Sequence, residues 1–474
     1  MTEFPFVLAS RLATSAAPAS VTCPYDDQVI ATTWIAGAAE LEAATEAAVK
    51  AAPAMRELPA YRRAEILRAV ASSLGAERNE VARTLAGEVG KPLRDALTET
   101  DRAAMTFEVA AEEARRLGGE VLPMDLAPHG VGRLAFTRRF PIGPVAAISP
   151  FNFPLNLSAH KLAPAIAAGN PIVLKPASKT PISAIRLGHY LVQAGVPEGA
   201  VSVLPLPRQE GDRMVTDERF KLLTFTGSSA VGWDMKRRAG KKRVLLELGG
   251  NAGVIVDETA DVEQAAARVA AGGFALAGQS CISVQRVFVH EQVFDRFAAA
   301  LVTRASRLKA GHPLDPATEL GPMIDRGEVD RVDLWVREAV AAGGRVLAGG
   351  CRVSPSVYAA TVLTDVPETA RVCIDEVFAP VVVLARFSRF DDAIDGVNRS
   401  AFGLQAGVFT HVLERALLAF DRIETGGVMV NDVATWRIDH MPYGGVKESG
   451  FGREGPHYTI EEMTELKLVV INRG

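Results

Sequence analysis

From Val145 onward the chain alternates short apolar runs with helical segments, and this rhythm limits the available folds more than any other feature. The runs at 145–149, 172–174, 201–204, 222–225 and 244–246 are rich in Val, Ile and Leu and show no inward-outward alternation. They read as strands buried on both faces. The segments between them, such as 158–168 and 180–194, have helix composition. Such alternation predicts an α/β architecture, a parallel sheet covered on both sides. After 254–256 the pattern resumes with helix 261–277, strand 284–289, helices 291–309 and 326–342, strand 381–387 and helix 391–398. Two α/β units in tandem are expected, since 474 residues exceed what one small core can organise.

Ahead of this region, residues 37–117 read as helical: Ala, Glu and Arg dominate, and Ile66, Leu67, Val70 and Leu74 recur at helical spacing. Pro53, Pro59 and Pro92 punctuate the stretch, the latter two near helix starts. Residues 133–140 alternate behind Gly130 and Gly132, as a strand reached through a turn would, and 465–472 read as a further strand.

Composition excludes several roles. The formal net charge is −4 and the basic runs at 237–238 and 241–243 are short, so neither nucleic acid nor an anionic membrane is an expected partner. No stretch approaches the roughly 20 apolar residues of a membrane span, and no basic-then-apolar leader opens the chain. Cys23, Cys281, Cys351 and Cys373 are too scattered for a disulfide framework or a zinc motif. A cytoplasmic protein without a metal is expected.

Three side chains stand out chemically. Cys281 lies in Phe274-Ala-Leu-Ala-Gly-Gln-Ser-Cys-Ile-Ser-Val-Gln-Arg286, Glu247 precedes Gly249-Gly250, and Asn152 is framed by Pro150-Phe-Asn-Phe-Pro154. A thiol nucleophile, a carboxylate base and an amide donor suffice for covalent chemistry at a carbonyl carbon. Each has a plainer account: Cys281 as a buried apolar group, Glu247 paired with Lys241 or Arg243, Asn152 as a turn residue. Two more loops follow strands. One carries Lys175 and Ser178; the other, Phe225-Thr-Gly227-Ser228, opens a helix where free backbone N–H groups suit a phosphate.

In this order the motifs resemble the aldehyde dehydrogenase superfamily over nearly the whole chain. The likeness rests on Pro150–Pro154, Lys175-Pro-Ala-Ser178, Phe225–Ser228, Glu247–Gly250, Gly278-Gln-Ser-Cys281, Glu376-Val-Phe-Ala-Pro380 and Pro442-Tyr-Gly-Gly-Val-Lys-Glu-Ser-Gly450. It implies a Rossmann-type dinucleotide-binding domain from 1–118 and 143–249, and a second α/β catalytic domain from 250–454. A β arm from 119–142 and 455–474 would join a homodimer or homotetramer.

The same resemblance assigns roles. Cys281 attacks an aldehyde, the Asn152 amide and the Cys281 N–H hold the oxyanion, and Glu247 activates the water that hydrolyses the thioester. Retention of Glu247 favours a free acid over a coenzyme-A ester. Ser149, Pro150, Phe151, Lys175, Ser178, Gly227, Ser228, Glu376 and Phe378 would hold the cofactor, and Lys161 is structural or close to it. NAD is the expected cofactor, with NADP tolerated, because Ser178 stands where many NAD-preferring members carry a glutamate. His160 and Arg102 replace the usual aromatic or thioether wall, Arg437 in the loop 435–440 adds another cation, and the cluster suits a small anionic aldehyde. They resemble the lactaldehyde and phosphonoacetaldehyde dehydrogenase branch, as does Gln279–Gln285. Phosphonoacetaldehyde leads, followed by lactaldehyde, sulfonated aldehydes and semialdehydes. Plainer pairings are Arg102 with Glu99, and Arg437 with Asp439 or a neighbouring subunit. The rival class, a thiol hydrolase or acyltransferase, needs a histidine beside Cys281.

Overall fold

The computed structural model describes residues 2–474. The apolar runs after Val145 pair as parallel strands Val145–Ile148, Ile172–Lys175, Val201–Val203, Leu222–Thr226 and Arg243–Glu247. Across the sheet they lie fifth, fourth, first, second, third in chain order, so the winding reverses between Val145–Ile148 and Leu222–Thr226. Such a reversal opens a crevice at the strands' carboxyl ends, where α/β proteins bind ligands. Short antiparallel strands complete the sheet: Phe6–Leu8 and Arg11–Ala13 at one edge, Gly450–Phe451 at the other.

A second sheet of seven strands runs Arg345–Ala348, Thr361–Thr364, Val381–Phe387, Val284–His290, Ala252–Val256, Gln405–Phe409, Gly427–Val430. All its pairings are parallel except that of Arg345–Ala348. Apolar clusters fill both faces of each sheet. The tail strand Thr464–Asn472 pairs antiparallel with Arg133–Pro141, which also carries Val121–Leu122.

The helical stretch resolves into Ala38–Glu57, Ala60–Ala76, Arg78–Val89 and Leu93–Arg116, with Pro59 and Pro92 at N-caps as expected. Pro53 departs from its expected role: it lies inside the first helix. The residue is exposed, as is Val49, whose carbonyl loses its partner, so water can satisfy that group. Helix Pro154–Ala168 is buried along its whole length, wedged among its neighbours rather than amphipathic. Strands before residue 37 and the strand Gly450–Phe451 had no clear sequence signal. Each is only two to six residues long, and Phe6–Leu8 and Gly450–Phe451 pair with strands far away in the chain.

Candidate active site

The crevice at the first sheet's carboxyl ends faces the second sheet, and the predicted side chains gather there. Glu247 ends strand Arg243–Glu247. The two glycines after Leu248 are demanded by contact: a Cβ on Gly249 would sit 2.5 Å from the Glu376 carboxylate, and one on Gly250 1.9 Å from the Cys281 carbonyl oxygen. The Glu247 loop is thereby pressed against the cysteine loop. Gly250 N–H donates to Glu376 Oε1 at 2.8 Å.

Just before the cysteine, Leu276 and Ala277 both hold φ of +51°, a left-handed conformation costly for non-glycine residues. Gln279 anchors the turn: its Nε2 donates to Leu276 O at 3.2 Å and its Oε1 accepts from Ile324 N–H at 2.9 Å. Asn152 Nδ2 donates to Gln279 O at 2.9 Å, tying its loop to the same turn. Its own carbonyl accepts from Lys91 Nζ at 2.8 Å. Lys91 is paired with Glu99, whose carboxylate also caps helix Pro154–Ala168 through the N–H groups of Leu155 and Asn156. Glu99 is thus committed elsewhere and does not pair with Arg102. Among the described residues the Cys281 N–H makes no hydrogen bond.

A cavity of about 140 Å³ brings Cys281 and Glu247 together with Arg102, Arg437, Asn156 and Tyr443. Cys281 Sγ lies 3.1 Å from Tyr443 Oη and has no imidazole partner among the described residues. Burial, with the charges of Glu376 and Glu247, pushes the thiol up to about 12. Glu247 does not pair with Lys241 or Arg243; the latter binds Glu465 at 2.8 Å. Among the described residues Glu247 Oε2 has no hydrogen-bond partner. Burial, and then the Glu454 charge, holds Glu247 well above the usual carboxylate range. Glu454 accepts from Lys161 Nζ at 3.3 Å, and that ammonium also donates to Thr224 and Thr226 at 3.0 and 2.8 Å.

Asp439 organises the cationic wall. Arg102 grips it with two bonds, Nε to Oδ2 at 3.0 Å and a terminal nitrogen to Oδ1 at 2.9 Å. Asn156 and His160 approach the same Oδ1 at 2.9 Å each. Burial opposes the charge of Asp439, yet His160 and Arg102 hold it far below the usual carboxylate range. Arg437 lies 3.2 Å from His160 Nε2 and 3.5 Å from Glu454, and its side chain is 5% exposed, so it faces inward rather than toward a neighbour. Of the three expected substrate residues, Arg102 and Arg437 line the cavity. His160 does not: it is fully buried behind them, and burial and Arg437 together lower its pKa. Its place is to brace Asp439.

Beside Lys175 runs a groove of about 980 Å³ with Phe225, Gln209, Arg208 and the helix Ser229–Arg238 that follows Gly227-Ser228. Among the described residues Lys175 Nζ makes only a long 3.4 Å bond to Pro176 O, and burial lowers its pKa. Glu376 is pushed up to about 7, chiefly by burial. Phe151 and Phe378 meet edge to face at 5.9 Å. Pro150 and Phe151 lie in the loop after strand Val145–Ile148, and Ser149 Oγ accepts from Ser158 at 3.0 Å. Ser178 is separated from the Lys175 groove; it opens onto another of about 660 Å³ with Glu88, Lys179 and Asp325.

This assembly matches a known family. The profile described as "Aldehyde dehydrogenase family" matches residues 12–469. The chain belongs to the aldehyde dehydrogenase family. It is 46% identical over 413 residues to the 3-sulfolactaldehyde dehydrogenase of Priestia megaterium, covering 87% of this chain and 86% of that one. It is 39% identical over 455 residues to the lactaldehyde dehydrogenase of Methanocaldococcus jannaschii, covering 95% and 96%. A solved aldehyde dehydrogenase 21 from Physcomitrella patens, in complex with the reaction product succinate, superposes with a TM-score of 0.97 at 45% identity, covering 100% and 98%. The resemblance to the family and to its lactaldehyde branch, and the expected fold, therefore stand. The chain is an NAD(P)-dependent aldehyde dehydrogenase; solved family members with 39% and 31% identity are complexed with the phosphorylated dinucleotide. No helix among the described residues is long and apolar enough to cross a membrane.

Residues here that escaped the sequence reading as site members include Tyr443, Asp439, Asn156, Glu454 and Arg208. Tyr443 sat inside a quoted motif, and Asp439 appeared only as a partner for Arg437. Glu454 and Arg208 gave no local signal, because their roles come from chain segments hundreds of residues away or from a groove formed by folding.

Proposed function

We propose that the enzyme oxidises a short aldehyde with an anionic tail to its carboxylic acid through a thioester on Cys281. The observation that carries this reading is two guanidinium groups, Arg102 and Arg437, in one small cavity with Cys281 and Glu247. A carboxylate, sulfonate or phosphonate tail can face the guanidinium groups while its aldehyde carbon reaches the sulfur. Two relatives, a 3-sulfolactaldehyde dehydrogenase and an aldehyde dehydrogenase in complex with its reaction product succinate, support this class. Phosphonoacetaldehyde, lactaldehyde and the semialdehydes remain candidates within it.

Each catalytic side chain has one task. The sulfur attacks the carbonyl carbon, and the second Asn152 amide proton and the free Cys281 N–H receive the oxygen's charge. A bound nicotinamide dinucleotide supplies the acceptor for the hydride that leaves that carbon. Glu247 then takes a proton from water as it attacks the thioester, and the nearby Glu454 charge favours the protonated carboxyl that results. The missing imidazole and the retained Glu247 favour this course over a thiol hydrolase.

Lys175, Glu376, Ser149, Pro150, Phe151, Phe378 and the Gly227-Ser228 turn would hold the dinucleotide. The loosely bound Lys175 ammonium, facing a roomy groove, fits a ribose or phosphate oxygen. Arg208 lines that groove without an ion pair or hydrogen bond among the described residues, so it is available to a 2′-phosphate. Replacing it (Arg208→Ala) is expected to raise KM for NADP about tenfold or more and leave KM for NAD within about twofold. Steady-state kinetics with both dinucleotides decides; equal shifts would assign Arg208 to neither.

The substrate reading is tested by a panel of anionic and neutral aldehydes of matched length. With Arg102→Leu, kcat/KM for the anionic members should fall about 10²-fold, a charge-assisted contact, and for neutral ones about threefold or less. Parallel losses would defeat the anion assignment.

The arm is assigned to self-association. In strand Thr464–Asn472, Leu466 and Leu468 are 57% and 53% exposed, and Val470 and Ile471 are also open. The strand has one partner, as does the edge strand Gly427–Val430 of the second sheet. Unpaired edges bearing apolar side chains are covered in stable proteins, which supports a homodimer or homotetramer built on residues 119–142 and 455–474. A cytoplasmic location accords with four free cysteines.

A further inference from the structure

Tyr443 places a neutral acid against the reacting sulfur. Its Oη is 3.1 Å from Cys281 Sγ, and no other hydrogen bond of that hydroxyl exists among the described residues. The residue is buried, so bulk water does not compete for the phenol. The Arg437 guanidinium stands 3.7 Å from the ring centroid. A cation over the ring face favours the ring's electron-rich form and stabilises developing negative charge on the phenol oxygen, which makes the O–H a stronger donor.

The other charged groups around the sulfur come from four separate elements. Glu247 approaches from strand Arg243–Glu247, Glu376 from the loop after helix Arg371–Ile374, Arg437 from the segment preceding Tyr443, and Arg102 from helix Leu93–Arg116 across the cavity. Burial and the two carboxylates disfavour a thiolate, whereas the Tyr443 hydrogen bond and Arg437 favour it. An attacking sulfur in such a place needs a donor already aimed at it.

We propose that Tyr443 is a catalytic residue that donates its O–H to the Cys281 thiolate and so sets how much of the enzyme carries an attacking sulfur. In the resting thiol the phenol oxygen accepts from S–H. When that bond breaks, the proton passes to water, the electron pair stays on sulfur, and the phenol O–H turns to donate. Once sulfur bonds to the substrate carbon its charge is gone and the donor is released. The assignment rests on Cys281 being the nucleophile, which the test below checks separately.

Iodoacetamide alkylation of Cys281, followed by peptide mass spectrometry on the full-length protein across the pH range where it stays folded, reads the thiolate directly. Tyr443→Phe is expected to react about tenfold more slowly below the plateau, its profile displaced upward by about one pKa unit. Uniform 3-fluorotyrosine incorporation, which makes the phenol more acidic without removing it, should move the profile downward and covers the case in which the phenylalanine variant folds poorly. Superimposable profiles in either comparison would overturn the proposal. A KM increase with an unmoved alkylation profile would also overturn it, giving the hydroxyl to the substrate. A distinct result, full turnover by wild-type enzyme already alkylated at Cys281, would instead remove the nucleophile assignment itself.

Discussion

Replacing Cys281 with alanine is expected to cut aldehyde oxidation by at least about 10³-fold while dinucleotide affinity stays within about twofold. The expected loss is large because, in the proposed mechanism, the sulfur forms the covalent bond that divides one difficult step into two easier ones. The affinity is spared because the Lys175 groove and the thiol cavity share no lining residue. Absorbance of the reduced nicotinamide measures the first quantity and fluorescence titration the second. Turnover near the wild-type level would end the thioester mechanism. Loss of both together would mean that the alanine had disturbed the strained turn at Leu276 and Ala277 rather than the chemistry alone.

Glu247→Gln has the second-largest expected effect and a different signature. The sulfur and its donors remain, so the first half-reaction should proceed and release one equivalent of product signal per site. Hydrolysis should then slow by about 10²–10⁴-fold, the range for losing a general base, and an acyl-enzyme should accumulate. Mass spectrometry of the quenched protein checks for it; an unmodified Cys281 during slow turnover would point to another base.

The same residue fixes a pH dependence. Burial, reinforced by the Glu454 charge, raises Glu247, while Arg437 and Lys161 pull the other way. A base works when deprotonated, so hydrolysis-limited turnover should climb as pH rises through a pKa above the ordinary glutamate range. Below it the protonated carboxyl cannot take a proton from water. In Glu247→Gln that limb should vanish, leaving a flat profile, and persistence of the limb would assign it to another group.

These effects depend on a site assembled from parts that hold one another. Asn152 is fastened both to the Gln279 carbonyl and, through Lys91 and Glu99, to the start of its own helix. Gly250 can press on the Cys281 carbonyl only because it lacks a side chain. Such preorganisation would let the proposed oxyanion donors act without rearranging during the reaction.

Much of this was legible before folding was considered. The buried parallel strands were readable because each is a short apolar run between helices, and periodicity is a local property. Cys281, Glu247 and Asn152 were readable because each sits in a short motif at the end of a strand or on a loop beside one. The anionic-substrate idea rested on Arg102, His160 and Arg437 as residue types, and only part of it carried through to position. His160 proved to be a buried brace, since burial in a fully packed helix depends on neighbours from Leu93–Arg116 and from the loop bearing Asp439.

By itself the sequence determined the two α/β units and the family, and singled out Cys281 as the candidate nucleophile, since these are written in local periodicity and contiguous motifs. Only the tertiary structure decided which charges face the cavity: Asp439 draws Arg102, Asn156 and His160 together from positions 279 to 337 residues away, and Tyr443 meets a sulfur 162 residues earlier. Electrostatics and hydrogen bonding act through space and steepen as water is excluded, so no reading confined to neighbours along the chain could have found them.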